Sequence, residues 1–207
     1  MANLNYPYLL ENLQAAAANL EEIPYSPFCN ALSEFANTFN FLGAALSFAA
    51  SDIIEKADII RKNFARRPDI PGLQTYVLTE VSEGTERKKS KNPSTARTLL
   101  RMMWFLDFLV SFSKMFANQP TRKLSELVRE AYDDALAPHH PWAVRTASRL
   151  GIRTVPNRQN FILKLFGEAL SDSQLAEMFL RLAEVVQPLK DVLWQFYVDY
   201  NLTALPC

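Results

Sequence analysis

The stretch Ser94–Ala117, STARTLLRMMWFLDFLVSFSKMFA, decides the fold class. Its apolar residues Leu99, Leu100, Met103, Leu106 and Val110 recur at helical spacing and cover a stripe too wide for a helix packed on one side only. A central helix with neighbours on several faces is expected. Elsewhere the same periodicity continues, and no run of period-2 alternation is bounded by hairpin turns, so the chain reads as all-α. Prolines supply the punctuation: Pro24 and Pro27 close a first helix, Pro68 and Pro71 follow a helix over 52–65, and Pro93 precedes the central one. Pro120, Pro138 and Pro156 mark later boundaries. Helices are expected near 7–21, 28–50, 52–65, 72–84, 94–117, 121–136, 140–153, 156–167 and 171–199, the last bent or loosened at Pro188. Ser171 with Gln174 resembles a capping start, and Gly167 suits the end of the preceding helix.

With 207 residues, 49% of them hydrophobic and only five glycines, the chain can bury one substantial core and reads as one domain, 1–207. Lys+Arg and Asp+Glu both number 22, so net charge supplies no reason to invoke nucleic acid; basic function must come from local clustering. Two cysteines, Cys29 and Cys207, make neither a disulfide framework nor a zinc site, and no charged-then-apolar signal segment precedes the first helix. A cytoplasmic protein is expected. The longest apolar stretches, 41–50 and 105–112, fall short of the roughly 20 residues a bilayer span needs, so any membrane is met from outside. The sequon Asn201-Leu202-Thr203 is then a chance match. There is no Gly-x-Ser-x-Gly elbow, no histidine–carboxylate metal motif and no phosphate-cradling glycine loop. A binding protein without cofactor or metal is expected, not an enzyme.

Embedded in the apolar helices is a sparse polar set. Asp52 and Lys56 lie four apart, as do Arg97 and Arg101, so each pair shares one helix face. A surface ion pair accounts for the first and a solvated face for the second equally well. Arg97 and Arg101, however, occupy the first turns of a helix that becomes thoroughly apolar, where the helix-start dipole and two guanidinium forks together favour a phosphate. His139 and His140 are adjacent, which places them on different faces of a helix and makes them poor metal partners. One ring capping a helix and one solvated is the plain alternative. Trp142 is either a helix-start plug or an interfacial anchor.

The order Phe41-Leu-Gly-Ala-Ala-Leu-Ser-Phe-Ala-Ala-Ser-Asp52-Ile-Ile-Glu-Lys56, then Ser94-Thr-Ala-Arg97-Thr-Leu-Leu-Arg101, then Ala131-Tyr132 leading to Ala137-Pro-His-His140-Pro-Trp142-Ala-Val-Arg145, resembles the glycolipid transfer protein superfamily. Pro156-Asn-Arg158-Gln-Asn-Phe161 is also similar to the family pattern, and the match runs over most of the chain. The resemblance implies a two-layer helical sandwich whose apolar interior accepts the chains of one sphingolipid. It implies that Asp52 accepts from the ceramide amide N–H and that His140 donates to the amide carbonyl. Glycolipid-selective members carry tryptophan, for sugar stacking, at the position of Arg101 and asparagine near that of Lys56. Lys56, Arg97 and Arg101 instead resemble the ceramide-1-phosphate branch. A phosphomonoester carries about −1.5 to −2 charges and three acceptor oxygens, which three convergent cations can neutralise.

By the same resemblance, Leu42, Leu46, Phe48, Phe105, Phe108, Leu136, Leu150, Phe161 and Leu165 are candidates for the apolar pocket. Leu46 stands where many relatives have phenylalanine. Membrane contact is expected from Trp142 and Ile152 and from the basic loop containing Arg87, Lys88, Lys89 and Lys91, since anionic surfaces attract such cations by roughly 1 kcal/mol each. Intermembrane transfer of ceramide-1-phosphate by a monomer is the expected activity. Transfer of a neutral glycosphingolipid, with Trp104 as a displaced stacking indole, and a ceramide-1-phosphate sensor or scaffold are the alternatives.

Overall fold

The structure, a computed structural model, describes residues 3–42 and 47–206, without the side chains of Asn40 and Leu42. Leu46 and the Leu42 side chain, both candidate pocket groups, therefore lie outside what is described, as does Cys207. The described residues form nine α-helices and no strand: α1 Tyr6–Ala17, α2 Tyr25–Asn37, α3 Ser47–Arg66, α4 Leu73–Ser82, α5 Thr95–Asn118, α6 Leu124–Ala135, α7 Trp142–Ile152, α8 Arg158–Phe166 and α9 Asp172–Asp199. Short 3₁₀ turns occupy Thr38–Leu42 and Ala137–His139.

Helix α5 is the central one. Leu99, Leu100, Met103, Leu106 and Val110 are all buried, because α9, α6, α3 and α4 pack around it. Its start is secured three times over: the Ser94 hydroxyl accepts from the Arg97 amide at 3.2 Å, and the Glu80 carboxylate of α4 accepts from Thr95 and Ala96 at 2.7 and 2.8 Å. These are amides that no helical carbonyl can reach. From the last helix, the Tyr197 hydroxyl donates to the Ala96 carbonyl at 2.6 Å.

Three boundaries differ from the sequence expectation. The first helix stops at Ala17 because 18–24 is bonded elsewhere: Gln74 of α4 donates to the Leu20 carbonyl and accepts from the Ile23 amide, both at 2.9 Å. Pro24 then precedes α2 as its cap, and Pro27 sits inside its first turn, where a missing N–H costs nothing. The expected helix 28–50 ends at Asn37, where the chain tightens into the 3₁₀ turn and buries Phe39 and Phe41. The break expected between 50 and 52 does not form: Ser51 and Asp52 lie inside α3, with the Ser51 hydroxyl bonded back to the Ser47 carbonyl at 3.3 Å. The capping box at Ser171/Gln174 and the left-handed Gly167 after α8 form as expected; a β-carbon there would meet the Asn3 side chain at 2.2 Å. Helix α9 runs continuously through Pro188.

Candidate functional site

Between α3, α5, α6 and α7 the surface opens into a cleft of about 680 Å³, within the range of small-molecule sites. Phe48, Asp52 and Lys56 recur four apart on α3 and so point into it together, as do Arg101, Trp104 and Phe105 at helical spacing on α5. Residues 139–152 close the far side with His140, Val144 and Ile152.

Lys56 Nζ donates to Asp52 Oδ1 across one helical turn. The Asp52 side chain is 61% exposed while that of Lys56 is 16% exposed, so the carboxylate stands at the mouth and the lysine stem lies along the wall. An exposed pair of this kind contributes only about 0.3–0.5 kcal/mol, which a ligand that engages both charges readily replaces.

Arg97 and Arg101 meet on one acceptor. Arg97 Nε and Arg101 Nη2 each donate to the Pro206 carbonyl at 2.8 Å, and Arg101 Nη1 donates to the Arg97 carbonyl at 2.6 Å. The segment carrying Pro206 is held by buried Leu202 and Leu205, after a left-handed turn at Asn201. Arg101 lines the cleft and Arg97 does not. Arg97 is held back against segment 202–206 by its bond to the Pro206 carbonyl, so the expected set of three cations lining the cleft becomes two with a third behind them.

His139 stacks on Trp104 with ring centroids 4.0 Å apart and planes at 4°, and the Arg101 guanidinium lies 5.6 Å from the same indole. His140 Nδ1 lies 3.0 Å from the Tyr132 hydroxyl. Burial holds both imidazoles below their ordinary pKa; at His140, Asp52 opposes the shift while His139 and Lys56 reinforce it. Neutral rings at neutral pH follow. Among the described residues, no group of three or more His, Cys, Asp or Glu side chains is placed to hold a metal.

The floor of the cleft is aromatic. Phe105 and Phe108 are buried beside Phe39, and Leu136 and the half-exposed Phe48 border the cleft above them. Beyond Phe39 and Phe108 lies a second, apolar void of about 20 Å³ bordered by Phe161 and Leu165. That space holds no aliphatic chain as it stands.

Two expectations on α7 exchange places. Leu150, a pocket candidate, is 55% exposed, whereas Ile152, a membrane candidate, is 3% exposed and lines the cleft. The helix buries only the narrow face of Ser148, Gly151 and Ile152, and two residues turn Leu150 about 200° away from Ile152. Trp142, 73% exposed, projects beside the cleft-lining Pro141 and Val144. Arg87, Lys88, Lys89 and Lys91 are exposed on the loop before α5, which is tied back where the Ser94 amide donates to the Lys88 carbonyl at 3.0 Å.

Residues 23–167, from α2 through α8, match the family model described as Glycolipid transfer protein (GLTP). The chain belongs to the glycolipid transfer protein family. Human ceramide-1-phosphate transfer protein is 26% identical over 211 residues, covering 98% of this chain and 96% of that protein. The ACD11 homolog protein of Arabidopsis thaliana is 28% identical over 186 residues, covering 88% and 76%. The crystal structure of human ceramide-1-phosphate transfer protein in complex with 12:0 ceramide-1-phosphate matches with a TM-score of 0.85 at 24% identity, covering 99% of this chain and 100% of that one. The fold is thus the two-layer, all-α sandwich of the glycolipid transfer protein family, whose members are lipid transfer proteins.

Within this family fold, Asp52, Lys56, Arg101 and His140 share one cleft although they come from three parts of the chain. Three neighbours escaped the sequence: the Tyr132 hydroxyl, the buried Ser148 and the Pro206 carbonyl. Tyr132 stands eight residues before His140, but α6 ends at Ala135 and His140 follows the 3₁₀ turn, so helical spacing does not predict their contact, and a backbone carbonyl leaves no signal either.

Proposed function

We infer that the protein carries ceramide-1-phosphate, one molecule at a time, between membranes, acting as a single-domain monomer on the cytoplasmic side. The observation that carries this is the convergence of Lys56 and Arg101 with Asp52 and His140 on one cleft above an aromatic floor. Lys56 and Arg101 neutralise the phosphate, with Arg97 behind them adding field, while Asp52 accepts from the amide N–H and His140 donates to the amide carbonyl. Human ceramide-1-phosphate transfer protein, similar over nearly the full length, supports the same ligand. The apolar term does not choose the ligand. An acyl chain of about 16 carbons gains on the order of 12 kcal/mol on leaving water, at about 0.8 kcal/mol per CH₂, but in a bilayer that gain already exists. Headgroup contacts decide which lipid is lifted.

Sugar stacking is disfavoured by Trp104, which is 6% exposed with His139 against its ring. A neutral hexose would also bring no negative charge to Lys56 and Arg101.

Membrane approach uses Trp142 and, in place of Ile152, the outward-facing Leu150, with the 87–91 loop drawn to anionic lipid. Among the described residues no helix is long and apolar enough to cross a membrane. The test is donor vesicles containing labelled ceramide-1-phosphate, unlabelled acceptors, and recovery of the lipid afterwards. Intact ceramide-1-phosphate in acceptors is expected; preference for galactosylceramide sinks the assignment, phosphate release indicates an enzyme, and retention on the protein indicates a sensor.

A further inference from the structure

The imidazole of His140 is not free to choose its proton. Its Nδ1 lies 3.0 Å from the hydroxyl of Tyr132, a buried residue of α6 eight positions earlier in the chain. Either group is able to donate in such a contact, and the surroundings select one arrangement. A phenol is the stronger donor of the two and an imidazole nitrogen the stronger acceptor, so the favoured bond runs from Tyr132 O–H to Nδ1. Burial pushes the Tyr132 phenol up, with Ser148, buried on α7, pulling it back, so the phenol holds its proton at neutral pH. Burial also keeps His140 neutral, so the ring carries one proton only. When Nδ1 accepts, that proton sits on Nε2. Tyr132, His140 and Ser148 all line the cleft.

We propose that Tyr132 is a positioning residue that fixes His140 as the Nε2–H tautomer, and thereby sets the preference of the cleft for an amide-linked lipid over an ester-linked one. This rests on the ceramide-1-phosphate assignment above and adds the device that makes its amide contact selective. A ring fixed with Nε2–H offers one oriented donor to the ligand carbonyl. A ring free to exchange tautomers spends part of its population with an acceptor there, facing the carbonyl lone pairs. An ester carbonyl is a weaker acceptor than an amide carbonyl and brings no N–H for Asp52, so the loss falls mainly on the amide lipid.

The experiment compares the full-length protein with Tyr132→Phe in two measurements. The first is transfer of ceramide-1-phosphate and of diacyl phosphatidic acid, which presents the same phosphate without the amide, between identical vesicles. The second is the ¹⁵N signature of the His140 ring, which distinguishes a protonated from an unprotonated nitrogen. In the unmodified protein an Nε2-protonated ring and a preference for ceramide-1-phosphate are expected. In Tyr132→Phe that preference falls roughly five- to tenfold, the scale of one oriented hydrogen bond, with phosphatidic acid transfer nearly unchanged and the ring signals moving toward a tautomer mixture. An unmodified ring protonated on Nδ1 overturns the inference whether or not the variant folds. An unchanged preference in a folded Tyr132→Phe overturns it while leaving the ceramide-1-phosphate assignment intact. If the unmodified protein moves both lipids equally, amide recognition itself is wrong and the inference falls with it.

Discussion

Arg101 is bound on several sides: by the Arg97 carbonyl and the Trp104 indole, each within one helical turn, and by the Pro206 carbonyl from the segment after α9. Such a guanidinium is oriented before any anion arrives, and the ordering cost of a long side chain has already been met in folding. Arg101→Leu is therefore expected to lower ceramide-1-phosphate transfer about 10- to 100-fold, the worth of a charge-assisted pair, without loss of helical circular dichroism. Normal transfer by the variant removes Arg101 from the site. The two apolar residues of α7 make a matched pair at this scale. Ile152→Ala, which opens a space beneath the cleft, is expected to cost about 2–5 kcal/mol in urea unfolding. Leu150→Ala should stay within about 0.5 kcal/mol of the parent while weakening attachment to vesicles. Both residues are apolar and lie two apart, so composition alone does not say which one is inside.

Among the elements, α5 depends most on a distant residue. Glu80 reaches from α4 to accept from the Thr95 and Ala96 amides, and this grip sets the axis along which Arg97 and Arg101 project. Burial pushes its carboxyl up to about 7, against 4.5 for an ordinary glutamate, with the two amide donors pulling it down. The folded state then binds more protons than the unfolded chain between these values. The stability from this group is fully present below about pH 4.5 and is lost as pH rises through 7, by up to about 3 kcal/mol. Glu80→Gln, which does not titrate, should flatten that part of the profile. Urea midpoints at pH 5 and 7.5 decide; an unchanged slope excludes Glu80 as its source. The helical pattern of α5 was legible in the sequence, since it is local. The Glu80 cap was not, because fifteen residues and a loop separate acceptor from donors.

At the scale of the whole molecule, the segment after α9 returns to the site and joins the last helix to the two arginines. Its hold depends on Leu202 and Leu205, 4% and 6% exposed. The double variant Leu202→Ala/Leu205→Ala is expected to lose about 4–8 kcal/mol if the costs add and to broaden the NMR signals of the Arg97 and Arg101 side chains. Sharp, unshifted arginine signals in a folded double variant would show that this segment does not order them. The sequence by itself determined the all-helical class, the central helix, most helix ends marked by proline, serine or glycine, and, through a family resemblance, the polar residues worth watching. These follow from periodicity and capping, which act over a few residues. Only the tertiary structure decided that Arg101 faces the cleft while Arg97 stands behind it, that Ile152 is inside and Leu150 outside, and that Tyr132 and a proline carbonyl hold the site's key side chains. A helical period shows which residues share a face, but the neighbour that covers the face comes from elsewhere in the chain and leaves no local mark.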